Sequence, residues 1–183
     1  MRRRRLAIAA CALVMIAGVA AAVLVRGQGS SETPDEQPLL LGQRTKTTGC
    51  VIATALPDRA CTPGAIFPGV SREQICTRGY ARTVRDVPNE VKAEVYVEYG
   101  LPPRPSKAGE YEVDHLVSLE LGGSNDIANL WPESADPTPG FHEKDRYENY
   151  LHEEVCTGAL SLVNAQRRIA ESWFEGWQDA GRP

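Results

Sequence analysis

The chain has 183 residues, 42% hydrophobic and 24% charged, with a formal net charge of −4 at pH 7. The length allows one small domain behind a leading segment. The acidic balance argues against a strong, non-specific polyanion binder, which is usually basic. Arg2 to Arg5 form a basic cluster, followed by an uncharged apolar run from Leu6 to Val25 that Arg26 closes. Residues 1–26 therefore read as an export signal or a single transmembrane anchor, with the N-terminus cytoplasmic and the remainder carried across. Ala20-Ala21-Ala22 offers a small-residue cleavage site. The expected location is exported: secreted, or tethered by an uncleaved anchor to the outer face of the cytoplasmic membrane. Residues 27–49 carry Gly, Ser, Glu, Thr, Pro and Gln without an aromatic residue, the composition of a flexible linker. Leu39-Leu40-Leu41 is its apolar exception. Without Arg2–Arg5 and Arg26, 15 Lys and Arg face 24 Asp and Glu, so the exported part carries −9.

The folded domain is expected over 50–183. It holds Cys50, Cys61, Cys76 and Cys156, an even number, which in an oxidising compartment favours two disulfides. Of the three possible pairings, Cys50–Cys61 and Cys76–Cys156 is preferred: the first closes a local loop, the second ties the N-terminal layer to a later helix. A zinc site built from all four cysteines is disfavoured because no Cys-x-x-Cys pair exists. Ser71 to Gln74 has capping-box spacing and predicts a short helix. Asn89 is a candidate cap for a second helix, with Val91, Val95 and Tyr99 as its stripe and Gly100 as its stop. Pro102, Pro103 and Pro105 form a connector. Arg72, Arg78, Arg82, Arg85, Lys92, Arg104 and Lys107 fall in this region, where they either steer phosphate or form a solvated mixed-charge face.

Tyr111, Val113, His115, Val117 and Leu119 alternate with Glu112, Asp114, Leu116 and Ser118, the period of a half-buried strand. Gly122-Gly123 and the following Ser-Asn-Asp predict a turn. Leu130-Trp131 is a short segment able to pair back before Pro132 stops it. Phe141 to Val155 predicts a helix with Tyr147, Leu151 and Val155 on its apolar stripe and Lys144 four residues before Glu148. Ser161 is the expected cap of a last helix, with Leu162, Ala165, Ile169 and Trp173 facing a core. His152 reads as structural or exposed.

The segments Glu112-Val113-Asp114-His115-Leu116, Leu119-Glu120-Leu121-Gly122-Gly123, Asn129-Leu130-Trp131-Pro132-Glu133 and Lys144-Asp145 with Glu148 together resemble the His-Asn-His (HNH) endonucleases of the ββα-metal, or His-Me finger, superfamily. Within it they resemble small exported bacterial HNH-like proteins, over roughly the last two-thirds of the chain. The resemblance implies an α+β fold with a ββα-metal core, flanking helices and disulfide staples. It implies a metal-dependent endonuclease hydrolysing phosphodiester bonds in DNA or RNA, with low sequence specificity. His115 is then the general base, since an imidazole titrating near neutrality suits proton abstraction from water. Asp114 and His142 are the metal ligands, with Asp145 as the alternative to His142. Asn129 orients either the histidine or the loop, and Lys144 either touches phosphate or pairs with Glu148. Mg²⁺ or Mn²⁺ suits a carboxylate, an imidazole and waters, and Zn²⁺ is also compatible. The rival expectation, from another class, is a non-catalytic membrane-tethered envelope domain that binds a protein or cell-wall partner.

Overall fold

A computed structural model describes residues 41–104 and 110–183. The apolar segment 1–26, linker residues 27–40, Pro105 and Lys107 lie outside the described residues. All described residues belong to one compact unit, Glu32–Pro183. Among them no helix is long and apolar enough to cross a membrane.

The elements in chain order are α1 (Arg72–Ile75), α2 (Tyr80–Val84), α3 (Asn89–Glu98), β1 (Tyr111–His115), β2 (Leu130–Ser134), α4 (Phe141–Thr157) and α5 (Leu162–Asp179). Ser71 makes the expected capping box with Gln74. Pro88, not Asn89, is the N-cap of α3, and Asn89 is its first helical residue. Gly100 stops that helix with φ +73. Ser161 caps α5 by accepting from the Asn164 N–H. Ala165, Ile169 and Trp173 of α5 then pack on Tyr147, Leu151 and Val155 of α4 in the main core. The Trp173 indole donates to Ala55 O at 2.6 Å. A second, smaller cluster holds Cys50, Cys61, Tyr99, Leu116 and Trp131.

β1 and β2 form a two-stranded antiparallel sheet in which Asp114 faces Trp131 and His115 faces Leu130. Two expectations are corrected here. The first strand ends at His115 rather than running to Leu119. Leu116, Val117, Ser118 and Leu119 are all buried, and a short 3-10 turn, Leu119–Leu121, follows. A segment covered on all sides has no solvent face for the alternation to mark. Pro132 also does not stop the second strand: it sits inside β2 opposite Val113. In a two-stranded sheet every strand is an edge, so the missing N–H can point away from the ladder.

The Gly122-Gly123 turn needs its two glycines for different reasons. Gly122 has φ +79, and a Cβ on Gly123 would lie 1.7 Å from Val117 O. The cysteines pair as Cys50–Cys61 and Cys76–Cys156. Packing starts ahead of Cys50, inside the segment expected to be linker. Leu41 packs on the main core, Arg44 forms an ion pair with Glu98 and donates to Cys61 O, and Lys46 pairs with Asp58 at 2.7 Å.

Candidate functional site

The site forms where the end of β1 meets the first two turns of α4. Lys144, one turn into α4, is fully buried. Its ammonium donates to Asp114 Oδ2 at 2.5 Å, to His115 O at 2.8 Å and to Glu148, and lies 3.6 Å from Glu133 Oε2. Of its two expected roles, the geometry has the pairing one: the charge is committed to protein oxygens rather than presented outward to a phosphate. Burial works against the Asp114 carboxylate, but the Lys144 charge beside it outweighs that and holds it below the usual range. Burial would lower Lys144 too, and the carboxylates of Asp114, Glu148 and Glu133 raise it well above its ordinary value. Glu133 lies deep beside Asp114 and Lys144, and burial pushes it well up. Burial also lifts Glu148, to about 7, against the pull of Lys144.

Above this floor lies a more open rim. Asp114 is only part-buried, while Glu112, His142 and Asp145 are exposed. Burial and then the neighbouring Asp114 raise both Glu112 and Asp145, and each feels the His142 side chain. Five carboxyls, those of Glu112, Asp114, Glu133, Asp145 and Glu148, thus share one ammonium, and all but Asp114 are held toward protonation. The cluster is short of positive charge. Carboxylate oxygens with one imidazole at an open rim are a donor set that suits a hard divalent cation. The residues expected to hold it are Asp114 with His142 or Asp145, but among the described residues the group of three whose ligating atoms lie within 4.8 Å of one another is Cys76, His152 and Cys156, not these.

His115 sits at the end of β1 and is 1% exposed. Its Nε2 lies 3.1 Å from Asn125 Oδ1, and Asn125 Nδ2 donates to Val84 O at 2.6 Å. The Val84 carbonyl can only accept, so it fixes the Asn125 amide with its oxygen toward the ring. Nε2 must then carry the imidazole proton, and the lone pair is left on Nδ1. Nδ1 is buried and has no hydrogen-bond partner. Burial lowers the imidazole to about 4, against the raising effect of Asp114. At neutral pH His115 is therefore the unprotonated, proton-accepting form. Arg85, exposed at the end of α2, lies within electrostatic reach of it.

Asn129 is fully buried. Its Oδ1 accepts from Val117 N at 2.9 Å and from Ala65 N at 3.3 Å, and its Nδ2 donates to Val117 O and Ser124 O. Of its two expected roles, it takes the loop and leaves the imidazole to Asn125. Asn125 and Glu133 are the residues to which sequence reasoning gave no role. Glu133 belongs to a recognised segment, but nothing in the spacing of Ser124-Asn125-Asp126 marks its middle residue. No family model, curated protein or solved structure matches the chain.

Proposed function

We propose that the domain is an exported, metal-dependent endonuclease that hydrolyses phosphodiester bonds in DNA or RNA with little sequence preference. The observation that carries this reading is the state of His115: neutral, held as the Nε2–H tautomer by Asn125, with an unpaired Nδ1 and within electrostatic reach of Asp114. Nδ1 accepts the proton of the attacking water. Asn125 keeps the ring in register, and Asn129 keeps the loop behind it closed. Because His115 is 1% exposed, substrate engagement has to uncover it. That exposure also strengthens the base, since burial is the main cause of its low pKa and an adjacent phosphate favours imidazolium. Asp114 with His142 or Asp145 would hold Mg²⁺ or Mn²⁺, with Zn²⁺ also compatible, and the ion would supply charge stabilisation at the phosphate and the leaving oxygen. Arg85, exposed and within electrostatic reach of His115, offsets the −9 charge locally where a polyanion would approach.

The burial of His115, Asn129 and Lys144 favours one second reading, a non-catalytic envelope domain at the membrane surface that binds a protein or cell-wall partner. One experiment separates the two. Supercoiled plasmid and folded RNA are incubated with the oxidised protein and Mg²⁺, Mn²⁺ or Zn²⁺, with and without chelator. Cutting that requires metal supports the endonuclease. A folded protein that neither binds a divalent metal nor cuts either substrate selects the second reading.

A further inference from the structure

Cys76, His152 and Cys156 converge where α1 meets α4, with their ligating atoms all within 4.8 Å of one another. His152 and Cys156 are four residues apart on α4, so both leave one face of that helix a turn apart. Cys76 is the C-cap of α1, and its backbone N–H donates to Arg72 O. The oxidised protein has no metal site here, because the two sulfurs are bonded to each other and the thiolate is the ligand form. The disulfide is not the only tie between these residues. Their neighbours Ile75 and Val155 are buried in one core, and the Arg72 guanidinium donates to Cys156 O at 2.7 Å.

We propose that the dithiol form of the protein binds a thiophilic cation, with Zn²⁺ the best match, through Cys76 Sγ, Cys156 Sγ and His152 Nε2. The Cys76–Cys156 disulfide is then a redox gate on a metal site separate from the carboxyl cluster. A dithiol reductant supplies two electrons, the S–S bond breaks, two protons end on the cysteine sulfurs, and the reductant leaves as its own disulfide. Metal binding displaces both thiol protons. His152 donates its Nε2–H to Ile75 O at 3.1 Å; on binding, the ring exchanges that proton for one on Nδ1, the other neutral tautomer, and the freed Nε2 lone pair turns to the ion. Nε2 is already 3.5 Å from Cys156 Sγ. Two sulfurs and one imidazole are a zinc donor set, and three protein ligands leave a fourth position open to solvent. The other pair offers nothing equivalent among the described residues: Cys50 and Cys61 are buried against Tyr99, Leu116 and Trp131, and they belong to no group of three converging ligand atoms. Cys76 and Cys156 are only part-buried, so a reductant meets them first.

The test uses Co²⁺ as a spectroscopic stand-in for Zn²⁺. The full chain is reduced with a phosphine, and Co²⁺ is titrated while absorbance and far-UV circular dichroism are followed. The expected result is a thiolate-to-cobalt charge-transfer band with tetrahedral d–d bands, saturating at one ion per chain and displaced by Zn²⁺. The oxidised chain shows no such band. The band is lost in Cys76→Ser, weakened in His152→Ala, and kept when Cys11, Cys50 and Cys61 are all replaced by Ser. No band in the reduced chain, a band that survives Cys76→Ser, a band unchanged by His152→Ala, or loss of the helical signal on reduction would each overturn the proposal.

Discussion

Glu148→Gln gives the sharpest electrostatic test of the buried cluster. Burial lifts the Glu148 carboxyl from its ordinary 4.5 to about 7, although Lys144 is bonded to it. Above pH 7 the carboxylate is ionised in both folded and unfolded chains, and the folded state bears the cost of an ion in a crowded acidic site. As pH falls from about 7 toward 4.5, the folded chain takes up a proton that the unfolded chain still lacks. Stability from this group is thus fully present below pH 4.5 and is lost as pH rises through 7. The rise corresponds to about 3 kcal/mol. Glutamine keeps the shape and removes the titration. Urea unfolding of oxidised wild type and variant, from pH 8 to pH 4.5, is the assay. Whatever their difference at pH 8, wild type should gain about 3 kcal/mol on the variant over that interval. Parallel pH profiles, or a wild type that loses ground on acidification, would refute the placement of Glu148.

His115 titrates in the opposite sense. Its stabilisation is present above its ordinary 6.5 and is lost as pH falls through about 4, so relative to His115→Gln the wild type should weaken between pH 6.5 and pH 4. Lys144→Met leaves buried carboxyls without their cation and should cost about 3–5 kcal/mol in urea unfolding at pH 7; a loss below about 1 kcal/mol would contradict the cluster. Asn129→Ala strands four hydrogen-bonding partners, three of them buried, and should cost about 3 kcal/mol, with raised amide exchange at Val117. The disulfides close loops with sequence separations of 80 and 11, so replacing Cys76 and Cys156 by Ser should cost about 4.5 kcal/mol, against about 3 for Cys50 and Cys61. Equal losses by denaturant titration would argue against the chain-entropy account.

Local signals were legible where local physics decides. The capping box at Ser71, the cap at Ser161 and the stripe of Tyr147, Leu151 and Val155 depend on hydrogen bonds and periodicity within a turn or two. The cysteine pairing was legible from loop length and the even number of cysteines after residue 49. Features that depend on what lies overhead were not. Lys144 and Glu148 have the spacing of a surface ion pair, and spacing does not say that this helix face turns inward onto Asp114. The strand appeared too long because Leu116 to Leu119 continue the alternation by composition while buried on every side. Asn125 was illegible because its partners, His115 Nε2 and Val84 O, are 10 and 41 residues away.

If His115 is the base of a phosphodiester hydrolase, as proposed above, cutting must fall when its imidazole is removed. The direct measurement is the rate of plasmid and RNA cleavage by oxidised wild type and His115→Ala, prepared in parallel and compared at pH 7.5 with Mg²⁺ or Mn²⁺. The account predicts metal-dependent cutting by wild type and a loss of about 100-fold or more in the variant. Equal cutting by a folded variant, or no cutting by folded wild type with any metal, would contradict it.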